Sequence, residues 1–193
     1  MSDAPIDSVL FAKSLIVSAR QRGFYISNLK LQKLAYYCQG YTLALTDNQL
    51  FDGNIEAWDH GPVVPAMYHE FKAFGSNSIT TEISDDLLTA IPQKFLDIVN
   101  FVLDKFVKLG AWDLVHRTHL EAPWLAHCDD ETKAVDGLVI SHDELKAFFC
   151  QEVDRMQDSS FARILDSLDS KVFELPEDVT DKDQFFSWLQ GDK

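Results

Sequence analysis

The chain has 193 residues, of which 46 % are hydrophobic and 12 % aromatic, enough apolar material for a packed core and too much for global disorder. Its 31 acidic and 17 basic residues give a formal net charge of −14, which makes nucleic acids and anionic membrane surfaces poor candidates for partners. No apolar run approaches the roughly 20 residues needed to cross a bilayer, and the N-terminus lacks the basic start of a secretory signal.

Helical periodicity dominates the beginning of the chain. Apolar residues recur at helical spacing from Val9 to Ala19, and Gly23 is expected to end this first helix. The second helix is expected to begin at Ser27 or Asn28, since either side chain can cap a first turn. Lys30 and Lys33 lie off its apolar stripe, which is the strongest of the sequence. The stripe consists of Leu31, Leu34, Ala35, Cys38, Tyr41 and Leu45.

Residues 48–60 interrupt the helical pattern. The pair Asp52-Gly53 is a turn signal, and Ile55 and Trp58 predict one or two short strands. Gly61-Pro62 is expected to open a third helix, because proline is tolerated in a first turn. The predicted buried face of that helix consists of Val64, Met67, Tyr68, Phe71 and Phe74.

The second half of the chain also favours helices. A fourth helix is predicted after Pro92, followed by a short helix, a turn at Pro123 and a further helical turn. Ser141 and Glu144 match a capping box, in which each side chain bonds to the other's main chain. Further helices are expected over 159–168 and in the terminal segment DKDQFFSWLQGDK.

The predicted fold is mainly α and has two parts. Residues 1–139 are expected to form a domain of about five helices with a small β element. Residues 140–193, which hold 13 acids and 6 bases, are expected to form a helical acidic C-terminal extension. The excess of acidic residues in this extension has an alternative explanation, a solvated surface that keeps the protein soluble.

Catalytic signals are weak throughout the chain. His116 and His119 are three residues apart and can share a helix face, and with His127 and Cys128 they are the best candidates for metal ligands or for a cysteine–histidine pair. Their spacing matches no recognised site, and structural hydrogen bonds at Thr118 and His119 are the alternative. We therefore expect no catalytic residue, no metal, no cofactor and no enzymatic activity.

The three cysteines indicate a compartment rather than a site. Cys38, Cys128 and Cys150 are odd in number, widely spaced and without a CxxC pair. A disulfide framework or zinc finger is therefore not expected, and a reducing cytosol fits best.

Aromatic residues are the stronger signal for binding. The chain has four Trp and five Tyr, and side chains of this type anchor protein interfaces, although core packing is the alternative for most of them. Phe185, Phe186, Trp188 and Leu189 crowd five positions near the C-terminus. Because chain ends fray, this cluster is expected to dock on its own domain or on a partner.

Three motifs lie in the first two-thirds of the chain: LKLQKLAYYCQGYTLA at 29–44, IEAWDHGPVVPAMYHEF at 55–71 and LVHRTHLEAPW at 114–124. Their order and spacing resemble the Panacea domain of the SocA-like and GepA-like family of phage-associated proteins and antitoxins. Ala111 departs from the family pattern, which has a capping Ser or Thr there. Ala57 is another position that matches the family. The resemblance implies a structural role for eight matching residues: Leu31, Lys33, Leu34, Tyr36, Gly61, Pro62, Thr118 and Pro123.

The resemblance implies a cytoplasmic bacterial or prophage antitoxin that neutralises a cognate protein toxin by direct contact, without binding nucleic acid or membrane. Two alternatives stay open: a proteolytic adaptor that presents a partner to a protease, and a metal-dependent enzyme that uses the histidine and cysteine cluster. The toxin is expected to contact the second and third motifs and the tail. The predicted contact residues are Trp58, His60, Tyr68, His119, Trp124, Phe185, Phe186 and Trp188.

Overall fold

The computed structural model describes residues 4–129, 132 and 135–156. These residues form a mainly helical fold with a small three-stranded sheet, which confirms the predicted fold class. No helix in the described part of the chain has the length and apolar character to cross a membrane. The elements are α1 (Ser8–Gln21), α2 (Asn28–Thr46), β1 (Ile55–Trp58), β2 (Gly61–Val63), α3 (Pro65–Phe71), α4 (Gln93–Phe106), α5 (Ala111–Thr118), α6 (Ala122–Leu125), β3 (Val139–Ile140) and α7 (His142–Arg155), with 3-10 turns at Lys72–Phe74 and Asp85–Ala90.

Helix α2 is the centre of the fold, and α4, α5 and α7 pack around it. Its residues from Leu31 to Leu43 are buried on every side, so the single stripe predicted from the sequence understates its burial. At Gly40 a side-chain carbon would overlap the ring of Phe149 from α7. A glycine is therefore required in the middle of this helix, although glycine lowers helix propensity.

The ends of several helices follow the capping chemistry predicted from the sequence. The N–H of Lys30 donates to Oγ of Ser27 at 3.4 Å, and Gly23 has a positive φ of 81° just after α1. The capping box at α7 is confirmed, because the N–H of Ser141 donates to Oε2 of Glu144 at 2.7 Å and the N–H of Glu144 donates to Oγ of Ser141 at 3.2 Å. Helix α5 begins at the atypical Ala111 with Gly110 as its N-cap.

The sheet consists of the hairpin β1–β2 and the short strand β3, in the order β2-β1-β3. The expectation that Pro62 opens the third helix is wrong: Pro62 lies in β2 opposite Ala57, and α3 begins at Pro65. Bonded and non-bonded pairs alternate in an antiparallel ladder, and the missing N–H of Pro62 falls at a non-bonded position. Proline is therefore accommodated in this strand.

The C-terminal helix of the described region packs on the rest of the domain. Helix α7 belongs to the same compact unit as the elements before it, and Ile140 in β3 pairs with Ile55 in β1. The predicted division into residues 1–139 and 140–193 concerns how far the Panacea-like domain extends along the chain. It stays a prediction. The helices predicted over 159–168 and at the terminal aromatic cluster lie outside the described residues.

Candidate protein-binding surface

Three motif residues form a buried seat under the β1–β2 hairpin: Lys33, Gly61 and Thr118. A carbon added at Gly61 would lie 2.7 Å from Oγ1 of Thr118 and 2.8 Å from Cε of Lys33. The φ of Gly61 is 93°, a conformation that side-chain-bearing residues rarely adopt. The backbone of the hairpin therefore approaches α2 and α5 more closely than any other residue type would allow.

The lysine of this seat is fully buried. Nζ of Lys33 donates to the carbonyl of Pro62 at 2.9 Å, which ties α2 to β2. Burial lowers the pKa of Lys33 to about 7, because the interior disfavours the charged ammonium. The amine therefore acts as a hydrogen-bond donor in the core and not as a surface charge.

A stacked pair from the third motif holds the other side of the hairpin. The indole N–H of Trp124 donates to the carbonyl of Trp58 at 3.0 Å. The ring of His119 stacks on Trp124 with 3.9 Å between centroids and 14° between planes. Burial lowers the pKa of His119, and the electrostatic effect of the nearby Lys33 acts in the same direction. A neutral imidazole is therefore favoured in this stack.

Four side chains of the hairpin region reach the surface, and we call Trp58, His60, Tyr68 and Trp112 the aromatic surface. Trp58 contacts Tyr68 edge to face at a centroid distance of 5.0 Å, and its indole N–H donates to Oε2 of Glu56 at 2.9 Å. His60, at the turn, contacts Trp112 of α5 at 5.2 Å. Trp112 is 56 % exposed, which is a large solvent-facing area for a tryptophan.

A cavity of about 560 Å³ adjoins the aromatic surface, with Trp58, Tyr68 and His60 in its lining. The amides of Asn28 and Gln32 also line it but are already bonded: Gln32 Nε2 donates to Asn28 Oδ1 at 2.8 Å, and the N–H of Val64 donates to Gln32 Oε1 at 2.9 Å. The cavity therefore combines aromatic walls with the charged side chains of Asp59 and Lys72, and a few polar groups beside apolar walls are typical of binding sites.

A buried carboxyl group connects α2 with the third motif. Oη of Tyr37 donates to Oε1 of Glu121 at 2.9 Å, and Nε of Arg117 lies 3.4 Å from the same oxygen. Arg117 also approaches Glu152 of α7 at 3.8 Å. Burial raises the pKa of Glu121 to about 7, against the opposing effects of its hydrogen bond with Tyr37 and the charge of Arg117. This network links α2, α5 and α7 behind the aromatic surface.

The cluster that the sequence singled out for chemistry is divided in the structure. His127 lies between Asp136, at 3.0 Å, and Glu144, at 3.4 Å, whereas His119 stacks on Trp124. The thiol of Cys128 donates to the carbonyl of Asp129 at 3.8 Å. Within the described ranges, no three His, Cys, Asp or Glu side chains form a group that could hold a metal ion.

The structure brings five predicted contact residues to one region and leaves three outside the described residues. The five divide by depth: Trp58, His60 and Tyr68 reach the surface, while Trp124 is buried and His119 lies half-buried beneath the turn. The predicted structural residues are all buried: Leu31, Lys33, Leu34, Tyr36, Gly61, Pro62, Thr118 and Pro123. Phe185, Phe186 and Trp188 of the tail are the three outside.

Sequence reasoning missed two residues of this region. The sequence shows Trp112 only as one of four tryptophans, because packing, and not the residue type, decides that its side chain is exposed. Glu121 carries no signal in the sequence, because its burial depends on Tyr37, 84 positions away.

Comparison with known proteins agrees with the motifs. The family model described as "Antitoxin SocA-like, Panacea domain" matches residues 31–125, which include the seat and the aromatic surface. The antitoxin SocA of Caulobacter vibrioides (strain NA1000 / CB15N) is 33 % identical over 129 residues, covering 62 % of this chain and 69 % of the relative. No solved structure matches the chain significantly. The resemblance drawn from the three motifs is confirmed.

Proposed function

We propose that this chain neutralises a protein toxin by binding it directly, because it belongs to the SocA-like antitoxin family, which carries the Panacea domain. The proposal includes no catalytic step and no cofactor. The name of the Caulobacter relative, an antitoxin, supports the role. We further propose a cytoplasmic location, which the three free cysteines support.

The observation that carries the proposal is the aromatic surface. Trp112 of α5 is 56 % exposed, and the exposed His60 lies beside it. His60 is in the turn of the hairpin that the buried seat holds in place. Rigid aromatic groups lose little conformational freedom on binding and dominate many protein interfaces. Leu120, two residues after the end of α5, is a further large apolar side chain at the surface and is 81 % exposed. A toxin that covers these residues would bury most of their exposed area.

The charge of the chain indicates the chemistry of the partner. A net charge of −14 attracts a basic protein and accelerates its encounter, and the attraction weakens as salt is added. The same charge opposes nucleic-acid binding, so we propose a toxin and not an operator as the partner. The association rate is expected to fall with ionic strength more strongly than the dissociation rate rises.

The proposal is tested by expressing the product of the neighbouring gene alone and together with this chain. Growth arrest by the product alone, relief on co-expression and co-purification of the two proteins are expected. Absence of a complex would contradict direct neutralisation. The adaptor alternative differs in turnover: there, the lifetime of the toxin shortens when this chain is present and only if a cellular protease is active.

The terminal aromatic cluster enters the proposal as a further contact. Phe185, Phe186 and Trp188 lie outside the described residues, and their part in binding rests on the sequence alone. Deletion of residues 180–193 is expected to weaken toxin binding and to leave the melting temperature of the domain unchanged. Equal affinity of the truncated and full chains would remove the tail from the interface.

A further inference from the structure

Within the residues that the structure describes, the outer edge of β3 has unpaired main-chain groups. The N–H of Ala57 donates to the carbonyl of Leu138 at 3.0 Å, while the N–H of Leu138 donates to Oδ1 of Asp136 at 2.8 Å, so Ala57 and Leu138 share one ladder hydrogen bond. Bonded and non-bonded pairs alternate, and Val139 faces Glu56 in the next pair. The N–H and C=O of Val139 therefore point away from β1, and no described residue forms a hydrogen bond with either group.

The other edge of the sheet is satisfied by α2. Nζ of Lys33 donates to the carbonyl of Pro62, and the side chain of Gln32 accepts the N–H of Val64 just after β2. Natural proteins usually cover or shorten a free edge, because exposed main-chain groups pair readily with another strand. Buried side chains cover the β2 edge, whereas no described residue pairs with the outer edge of β3.

Exposed apolar side chains accompany the open edge. Leu138 is 61 % exposed and Val139 is 43 % exposed, although consecutive residues of a strand point to opposite faces. Neither side of the strand is therefore covered at this point by the described residues. Such a combination of free main-chain groups and apolar side chains is typical of strands that receive an additional strand.

The open edge adjoins the cavity of the aromatic surface. Residues 135–137, which immediately precede β3, form part of the lining of that cavity. A carbon added at Gly137 would meet no atom within 4 Å, so there is open space beside this residue. An extended segment bound at Val139 can therefore continue past Gly137 towards Trp58.

We propose that the edge of β3 accepts an extended segment of the protein toxin as a fourth strand, which rests on the function proposed above. One residue of that segment exchanges two main-chain hydrogen bonds with Val139, and its neighbours cover Leu138 and enter the cavity beside Trp58. The pairing is short, because Gly137 has a φ of 68° and the N–H of Ser141 is already bonded to Glu144. Side-chain contacts therefore supply most of the affinity, and the main chain sets the position of the segment.

The substitution Val139→Pro tests this proposal against the matched control Val139→Ala. Proline removes the outward N–H, and it leaves the β1–β3 hydrogen bonds intact because Val139 takes no part in them. We expect the Pro variant to bind the purified toxin, the product of the neighbouring gene, about tenfold more weakly than the Ala variant. The melting temperatures of the two variants serve as the control for folding.

A measurement on the unsubstituted chain gives the second arm of the test. Hydrogen exchange at the Val139 amide is expected to slow when the toxin binds, while exchange at Tyr25, outside the proposed interface, stays the same. If the complex forms but exchange at Val139 is unchanged, or the Pro and Ala variants bind equally, the edge proposal is overturned and the antitoxin role stands.

Two other outcomes would identify a different occupant or a different function. If the chain alone is a dimer that Val139→Pro converts to a monomer, the edge receives a second copy of this chain and the proposal is wrong. If the unsubstituted chain does not bind the toxin at all, the proposed function fails and this inference fails with it.

Discussion

The buried seat and the aromatic surface both include residues of the β1–β2 hairpin region, and they use the same motifs in different ways. In the seat, Lys33 and Thr118 leave no room for a side chain at Gly61, and all three residues are buried. On the aromatic surface, His60 and Trp112 contact each other and remain exposed.

The difference between the two regions separates what builds the domain from what it presents. Substitutions in the seat are expected to change folding and, only through it, binding. Substitutions on the aromatic surface are expected to change binding without changing folding.

The largest expected effect comes from Gly61→Ala in the seat. The added carbon meets Thr118 and Lys33, and the positive φ adds strain, so we expect a loss of about 3 kcal/mol in the free energy of unfolding. Gly23→Ala is the matched control, since Gly23 also has a positive φ but open space around it. That variant is expected to lose about 1 kcal/mol in denaturant titrations. Equal losses would show that the seat is not tightly packed.

Lys33→Met tests whether burial lowers the pKa of the Lys33 amine. The pKa of Lys33 is lowered to about 7 in the folded state from 10.5, so the unfolded chain binds more protons between these values and stability rises with pH. From pH 7 to 9 the unsubstituted chain is expected to gain about 2 kcal/mol relative to the Met variant. Parallel pH profiles of the two proteins would contradict a buried neutral lysine.

Glu121→Gln tests the network behind the surface, and its pH dependence has the opposite sign. The pKa of Glu121 is raised from 4.5 to about 7, so the folded chain binds more protons between these values and stability falls as pH rises. From pH 5 to 7 the unsubstituted chain is expected to lose about 2 kcal/mol relative to the Gln variant. The measurement is urea unfolding at each pH, and a slope that survives in the Gln variant would assign it to another group.

The sequence predicts the local parts of this fold better than the packed parts. Ser27 and the capping box at Ser141 are recognisable because a cap depends on residues within one turn. The burial of Lys33 is not, because its partner, the carbonyl of Pro62, lies 29 positions away. The prediction of a helix beginning at Pro62 was wrong for the same reason. Pro62 pairs with Ala57 in the sheet, and local sequence propensity gives no information about that pairing.

The candidate surface was predictable in position but not in composition. The motifs predict contact residues in the hairpin and in the Thr118–Trp124 segment, and the structure brings these two regions together. Which of their aromatic residues are exposed depends on packing: Trp124 is 6 % exposed and Trp112 is 56 % exposed. Similar residues in one short stretch of sequence therefore have different surroundings, and only the folded chain distinguishes them.

The central claim is that the toxin binds the aromatic surface, and calorimetric titration of the toxin with Trp112→Ser tests it most directly. Tyr25→Ser, which removes an aromatic side chain that is 65 % exposed and lies outside this surface, is the control. We expect Trp112→Ser to weaken binding about tenfold and Tyr25→Ser to leave it unchanged, with both variants as stable as the unsubstituted chain. Equal affinities for the two variants would contradict the account.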